Sequence, residues 1–251
     1  MSLPVHLLTD LGRPAPGDLL RLTGDEGHHA VAVRRLRVGE GLVITDGRGA
    51  AATCVVEAAE RRELIARCET FAHVAEPSPR ITLVQALAKG ERAELAVELA
   101  TELGVSRIVP WAASRSVSVW REDRAVKGAL KWRSTAREAA KQSRRSWFPE
   151  VTELASSAVV SQLVRECAEA GGSAYCLHEA AESSLAARPL AEEIVLIVGP
   201  EGGLTDDEVG RFEDAGAVAV RLGPEVLRTS TAGAAGLVTL LSRTERWGGR
   251  G

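Results

Sequence analysis

The chain has 251 residues, of which 45% are hydrophobic and 26% are charged. This is an ordinary globular composition, and the length favours two domains. No apolar run approaches the ~18 residues that span a bilayer, and the N-terminal residues lack the basic start and long apolar stretch of a secretory signal. These features argue against a membrane-spanning chain, and we expect a soluble cytoplasmic protein. The net charge of −3 does not by itself indicate a nucleic-acid partner.

Residues 1 to about 72 are rich in short strand candidates separated by Gly, Asp and Pro. Many short strands within a small segment favour a β-barrel. A short helix is expected from about Gly27 to Leu36. The two prolines within residues 75–79 favour an extended linker. The predicted strands are residues 5–9, 19–22, 42–45, 53–58 and 64–70.

From residue 81 onward the pattern changes to alternating strands and helices, which predicts a parallel α/β sheet. Gly104 follows an amphipathic segment and is expected to end a helix. Thr205 and Glu208 have the spacing of a capping box, in which both side chains bond free backbone N–H groups. The predicted strands are residues 81–87, 107–111, 174–177, 193–198 and 217–222, and the predicted helices are residues 91–103, 125–146, 161–170, 205–215 and 232–246.

Positive charge is concentrated between Trp120 and Trp147. This segment holds nine cations and three anions, a sum of +6, so the rest of the chain sums to −9. A local basic patch on an acidic protein indicates a nucleic-acid partner better than a high overall charge does. The cations are Arg121, Arg124, Lys127, Lys131, Arg133, Arg137, Lys141, Arg144 and Arg145.

The cysteines Cys54, Cys68, Cys167 and Cys176 are scattered and form no C-x-x-C pair. Because zinc sites need clustered ligands, we predict free thiols and no metal site.

Two glycine-containing loops follow apolar strands: GPEGG at residues 199–203 and LGPEVLRTST at residues 222–231. Ligands of open α/β sheets bind beyond the carboxyl ends of strands, and glycine lets the backbone approach a ligand closely. Neither loop has the G-x-x-x-x-G-K-[ST] or G-x-G-x-x-G pattern, which argues against nucleoside triphosphates and NAD. Taken alone, each loop is an ordinary structural turn.

Together these motifs carry a family resemblance. GPEGGL at residues 199–204 is followed by LGPEVLRT at 222–229, and KGER at 89–92, ELGV at 102–105, Arg115-Ser116 and EAAKQSRR at 138–145 lie upstream. With residues 29–39 added, the chain resembles the RsmE family of SPOUT methyltransferases over nearly its whole length. This family methylates N3 of a uracil in 16S ribosomal RNA. The chain departs from the family at Ser230, where many members have glutamate.

The resemblance implies a PUA-like RNA-binding β-barrel over residues 1–74 and a SPOUT domain with a deep trefoil knot over residues 75–251. It also implies a homodimer, and the small residues Ala232, Gly233, Ala235 and Gly236 would permit close helix approach either between subunits or inside one. S-adenosylmethionine would lie against three loops. The implied cofactor-binding residues are Leu177, His178, Val198, Gly199, Pro200, Glu201, Gly202, Leu222, Gly223, Val226, Leu227, Thr229 and Thr231.

Methylation of uracil at N3 requires loss of the N3 proton, and the resulting anion spreads charge onto O2 and O4. A fixed cation stabilises such charge, and we assign this role to Arg228. Glu201 either accepts the proton or orients its loop.

The predicted RNA partner is 16S ribosomal RNA, within the small ribosomal subunit, and exposed cations would neutralise its phosphates. Trp132 and Trp147 flank the basic helix and are expected to be buried rather than stacked on bases. The predicted RNA-binding residues are His28, Arg34, Arg35, Arg37, Lys89, Arg92, Arg115, Arg133, Arg137, Lys141, Arg144 and Arg145.

Three alternatives remain from the sequence. The first is a related methyltransferase acting at another RNA position, and the second is a non-catalytic RNA-binding factor for ribosome assembly. The third is a small-molecule enzyme on a plain doubly wound sheet. The intact glycine loops argue against the second, and the basic helix and separate N-terminal domain argue against the third.

Overall fold

The structure, a computed structural model, describes residues 3–247 and divides into two compact units. The first unit holds the residues up to Glu76 together with Ala140–Phe148, and the second holds Pro77–Ala139 and the residues from Pro149 onward. Sequence reasoning placed one boundary near residue 75 and kept residues 140–148 in the C-terminal domain. They belong to the first unit because Lys141 binds Glu26 at 3.0 Å and Trp147 Nε1 donates to the Val74 carbonyl at 2.9 Å.

The described part of the first unit forms one five-stranded mixed sheet in the order β1-β3-β4-β5-β2. Strand β1 is parallel to β3, and the other neighbours are antiparallel. Strands β4 and β5 are longer than predicted because they pair up to the tight turn at Arg61, which takes a positive φ of 49°. The elements are β1 (Val5–Leu7), β2 (Leu19–Leu22), α1 (Gly24–His28), β3 (Gly41–Thr45), β4 (Ala50–Glu60) and β5 (Glu63–His73).

The predicted short helix is present but differs in form. Helix α1 passes directly into a π-helical turn, His29–Val33. The turn stops before the predicted end at Leu36, because Arg35 has a positive φ of 56°, which a right-handed helix does not accommodate. Apolar side chains of the π-helical turn, the sheet and the loops between them form the core of this unit.

A polar network lies inside the first unit. The Glu26 carboxylate binds His6 Nδ1 at 3.2 Å and Lys141 Nζ at 3.0 Å, and it accepts a hydrogen bond from the Leu7 amide. His6 is fully buried and the Lys141 side chain is 6% exposed. The candidate ligand atoms of His6, Glu26 and His29 lie within 4.8 Å of one another. The Lys141 ammonium on the same carboxylate opposes a metal cation, so we interpret the network as structural.

The Glu26 network predicts acid sensitivity. Burial alone would raise the pKa of the Glu26 carboxyl, but hydrogen bonds from His6 and Lys141 and the Lys141 charge lower that pKa from 4.5 to about 2. The ionised carboxylate therefore stabilises the folded state above pH 4.5, and this stabilisation disappears as the pH falls towards 2. We expect urea unfolding to show a steep loss of stability over this window, and Glu26→Gln to flatten it. Glu57→Gln, at an exposed ion pair with Arg67, is the control. Equal slopes for wild type and Glu26→Gln would contradict the assignment.

The described part of the second unit forms a six-stranded, all-parallel sheet in the order β11-β9-β10-β6-β7-β8. The predicted parallel α/β sheet is confirmed. Its strands are β6 (Arg80–Ala86), β7 (Arg107–Trp111), β8 (Glu150–Val151), β9 (Ser173–Leu177), β10 (Glu193–Val198) and β11 (Ala217–Val220). Its helices are α2 (Arg92–Leu103), α3 (Asp123–Gln142), α4 (Ser157–Glu169), α5 (Asp206–Asp214) and α6 (Thr229–Leu241), with a 3-10 turn at Leu185–Ala187.

Both faces of this sheet are covered by helices. Because successive residues of a strand point to opposite sides, neighbouring residues join different cores. On β6, Leu83 joins a core that includes Trp132 of α3, whereas Val84 joins the opposite core with Phe212 of α5. Trp132 is fully buried, as predicted. Trp147, in the first unit, is half-buried, with its ring nitrogen bonded to a backbone carbonyl.

Several helix ends differ from the predicted ones for local reasons. Helix α4 begins at Ser157 rather than 161, because the Ser156 hydroxyl accepts a hydrogen bond from the Val159 amide and caps it. The capping box of Thr205 and Glu208 is confirmed. Helix α6 starts at Thr229, three residues before the predicted start, directly after the second glycine loop.

The small residues of α6 pack inside the chain. A Cβ on Gly236 would lie 2.7 Å from Leu196 Cδ2, and one on Gly233 would lie 3.2 Å from the side chains of Leu83 and Gln85. These glycines therefore let α6 approach β6 and β10 closely.

The four cysteines are free and buried. Among residues 3–247, no helix combines the length and the apolar character needed to cross a membrane.

Candidate functional site

A cavity of about 570 Å³ lies beyond the carboxyl ends of strands β9, β10 and β11 in the second unit. Because these strands are parallel neighbours, the loops that follow them meet at one edge of the sheet. We call this space the loop cavity. It is lined by Arg115, Leu177, His178, Glu179, Val198, Gly199, Pro200, Glu201, Gly202, Gly203, Leu204, Asp206, Val220, Arg221, Leu222, Gly223, Glu225, Val226, Leu227, Arg228, Thr229 and Ala232.

The loop cavity brings the predicted ligand-contacting residues together. Every predicted cofactor-binding residue except Thr231 lines it, and so do both predicted catalytic residues, Arg228 and Glu201. Thr231 lies in the first turn of α6, where its hydroxyl donates to the Arg228 carbonyl at 3.1 Å. Because this side chain serves the helix start, we leave Thr231 out of the proposed ligand contacts.

The first glycine loop, residues 199–204, requires glycine at two positions. A Cβ on Gly202 would lie 2.9 Å from Arg115 Cβ and 3.0 Å from the Arg115 carbonyl oxygen. Gly203 has a φ of +72°, which other residues rarely adopt. The Gly203 amide donates to the Pro200 carbonyl at 3.0 Å and closes the turn. The glycines therefore fix the backbone of the cavity wall.

Glu201 is exposed, and one of its carboxylate oxygens accepts a hydrogen bond from the Lys89 amide at 3.2 Å. This bond joins the first glycine loop to the turn between β6 and α2. The geometry supports the loop-orienting role that the sequence left open for Glu201. It also places the turn that holds Lys89 beside the loop cavity.

Arg228 lines the loop cavity and immediately precedes α6. Its carbonyl accepts hydrogen bonds from the amides of Thr231 and Ala232, both at 2.9 Å, while its side chain is exposed on the cavity lining. The buried Gln85 amide group donates to the Thr229 carbonyl at 3.3 Å. These hydrogen bonds fix the backbone that carries the Arg228 side chain.

Ser230, the departure from the family pattern, is 4% exposed and does not line the loop cavity. Ser230 itself is therefore a buried residue in the first turn of α6.

Comparison with known proteins decides the family. A model described as an RNA methyltransferase domain matches residues 75–241, and one described as an RNA methyltransferase PUA domain matches residues 22–68. The chain is 48% identical over 236 residues to ribosomal RNA small subunit methyltransferase E of Mycobacterium bovis, covering 93% of this chain and 90% of the relative. The chain belongs to the ribosomal RNA small subunit methyltransferase E family.

Solved structures agree with this membership. A structure of this family from Neisseria gonorrhoeae, bound to S-adenosyl methionine, is 27% identical with a TM-score of 0.85, covering 96% of this chain and 98% of that one. A Legionella pneumophila protein in complex with the cofactor SAM is 30% identical with a TM-score of 0.86, at the same coverages. The family comparison also supports the PUA-like character of the N-terminal part.

The cavity of this family member includes residues that sequence reasoning did not assign to it. Glu179 and Arg221 directly flank assigned residues, and Glu225 lies within the second motif, so taking each motif whole with one residue on either side would have found them. Asp206 starts the capped helix α5. Arg115 comes from a different loop, after β7, and only the folded chain reveals its place in the wall.

The predicted RNA-binding cations fall into different environments. Lys141 is buried on Glu26, and Arg133 donates to the Val151 carbonyl at 2.9 Å and to Glu153 at 2.6 Å. Because the Lys141 ammonium and the Arg133 guanidinium already bind groups of the protein, we leave both residues out of the proposed RNA surface. Arg145 is half-buried. The exposed members are His28, Arg34, Arg35, Arg37 and Arg144 in the first unit, and Lys89, Arg92, Arg115 and Arg137 in the second.

Proposed function

We propose that this protein transfers a methyl group from S-adenosylmethionine to N3 of a uracil in 16S ribosomal RNA of the small subunit. The observation that carries the proposal is the loop cavity, which gathers the glycine loops of the family at the carboxyl ends of three parallel strands. The names and bound cofactor of the relatives support it.

The residues present fit the cofactor. The cavity volume of about 570 Å³ is within the usual range for small-molecule sites. Leu177, Val198 and Leu222 are apolar residues of the lining, and the residues of both glycine loops line the cavity beside them. When bound, S-adenosylmethionine supplies an electrophilic methyl group on a positively charged sulfur.

The chain's own residues account for the rest of the reaction. In our proposal the loop cavity orients the reactants and excludes water, which contributes up to ~7–11 kcal/mol in favourable intramolecular cases. Arg228 stabilises the charge that develops on the uracil oxygens as N3 loses its proton. Glu201 orients the first glycine loop through the Lys89 amide, and its exposed carboxylate on the cavity lining is the proposed acceptor of the N3 proton.

RNA binding is assigned separately to each unit. His28 and the cations Arg34, Arg35 and Arg37 are exposed on the PUA-like part, and Arg137 is exposed on α3. Contacts of such groups with phosphates release counterions, so we expect affinity for RNA to fall with rising salt.

The domain assignment and assembly of the family complete the proposal. We assign the first unit, which includes Ala140–Phe148, to the RNA-binding domain and the second unit to a SPOUT domain with a trefoil knot, acting as a homodimer. The dimer rests on the resemblance, since the α6 glycines are already accounted for by packing against Leu83 and Leu196 within the chain.

The test is methyl transfer from labelled S-adenosylmethionine to small ribosomal subunits that lack this modification, followed by digestion of the RNA to nucleosides. We expect a single labelled product, N3-methyluridine. A different labelled nucleoside would support the alternative of another RNA position. Cofactor binding without transfer to subunits or to free 16S RNA would contradict the assigned substrate, and absence of cofactor binding would favour a non-catalytic RNA-binding factor.

A further inference from the structure

We propose that Arg115 is a positioning residue that holds the first glycine loop in its ligand-binding shape, so that the affinity for S-adenosylmethionine depends on it even in the absence of RNA. This inference rests on the proposed function. It replaces a simple RNA-contact role for Arg115 with a role in the wall of the loop cavity.

The Arg115 guanidinium bridges two carbonyls of the loop. Its Nη1 donates to the Leu204 carbonyl at 3.2 Å and to the Gly202 carbonyl at 3.4 Å. One nitrogen therefore binds both ends of the turn that contains Gly203. Because these carbonyls belong to the cavity wall, loss of the bridge frees the loop to move.

The backbone of Arg115 also packs on the loop. Gly202 approaches so closely that an added Cβ would lie 2.9 Å from Arg115 Cβ and 3.0 Å from its carbonyl oxygen. Arg115 therefore holds the loop in two ways, by close packing against Gly202 and by two hydrogen bonds from its guanidinium group.

A second tie fixes the segment that carries Arg115. The Glu208 carboxylate is buried in α5 and accepts a hydrogen bond from the Ser114 amide at 2.8 Å, while its other oxygen completes the capping box with Thr205. Burial alone would raise the pKa of Glu208, but the bonds from Ser114 and Thr205 lower it, which keeps the carboxylate ionised. The segment that carries Arg115 is therefore fastened to α5, the helix that follows the loop.

The consequence for binding follows from preorganisation. A loop already fixed in its bound shape loses less conformational entropy when the ligand enters than a loop that must be ordered at that moment. Lysine keeps the positive charge of Arg115 but is shorter and lacks the planar fork of donors. Arg115→Lys therefore weakens the bridge while retaining electrostatic attraction for phosphate.

The experiment titrates S-adenosylmethionine into the full-length protein by calorimetry without RNA, and measures RNA binding separately at several salt concentrations. For Arg115→Lys we expect about a tenfold weaker cofactor affinity, corresponding to ~1.4 kcal/mol, with an unchanged melting temperature and RNA affinity within about twofold of wild type. In turnover, KM for S-adenosylmethionine rises while kcat at saturation is retained. Arg115→Gln is the second variant and is expected to show the same cofactor defect.

Arg137→Ala is the matched control, because Arg137 is exposed and has no ion pair among residues 3–247. It is expected to weaken RNA binding and leave cofactor binding unchanged. Cofactor affinity of Arg115→Lys and Arg115→Gln within twofold of wild type would overturn the inference, as would a lowered kcat with unchanged KM. If wild type itself fails to bind the cofactor, the proposed function fails, and that result is distinct from a defect confined to the Arg115 variants.

Discussion

Arg228→Ala is expected to lower methyl transfer about 100-fold while the affinity for S-adenosylmethionine stays close to wild type. The reason is that Arg228 lines the loop cavity with an exposed side chain, whereas its backbone carbonyl supports the start of α6 through Thr231 and Ala232. Alanine keeps that carbonyl and removes only the cation. Loss of a preorganised group that stabilises developing negative charge typically costs 10²–10³ in rate.

The measurement compares single-turnover methyl transfer with cofactor binding for Arg228→Ala. Arg165→Ala is the control, because Arg165 is exposed on α4 and is not part of the cavity lining. Arg228→Lys is expected to recover part of the rate, since it restores a cation without the fork of donors. Unchanged turnover in Arg228→Ala would remove Arg228 from the mechanism.

Lys141→Ala is expected to destabilise the first unit by about 3 kcal/mol. Removing one partner of a buried ion pair leaves the other charge uncompensated, which typically costs about 3–5 kcal/mol. The Glu26 side chain keeps 17% exposure, so the lower end of that range applies. The affinity for RNA of the protein that remains folded is expected to be unchanged, because this ammonium is not on the surface.

Native-state hydrogen exchange of amides in β4 and β5 checks this expectation, since it reports the stability of the first unit by itself. The double variant Lys141→Met and Glu26→Gln is expected to recover most of the loss, because no charge is then left unpaired. Arg67→Ala, at an exposed pair with Glu57, is expected to leave the stability close to that of wild type, because exposed ion pairs contribute little. A Lys141→Ala protein as stable as wild type would contradict the buried ion pair.

The loop cavity was largely predictable, because its residues are contiguous along the chain and follow strongly apolar strands. Once β9, β10 and β11 are recognised as parallel neighbours, their C-terminal loops have to meet. The capping box at Thr205 was likewise readable, since both of its residues lie within one turn of helix.

Two residues were left out of the proposed RNA surface for one physical reason, which is that burial and pairing depend on partners distant in sequence. The spacing of Arg133, Arg137 and Lys141 places them on one helix face, but a spacing carries no information about what that face meets. Glu26, more than one hundred positions away, turns Lys141 into an interior residue. The contact of Arg115 with the first glycine loop could not be predicted for the same reason, because its partners Gly202 and Leu204 follow a different strand.

The position of the segment Ala140–Phe148 in the sequence has a consequence for recombination between related genes. The first unit is not encoded as one uninterrupted stretch, because Lys141 and Trp147 belong to it but lie near the middle of the sequence. Recombination between relatives at residue 77 would bring Glu26 and Val74 from one parent and their partners from the other. We therefore expect exchange at this point to preserve stability best when the parent that supplies position 141 keeps a lysine for Glu26.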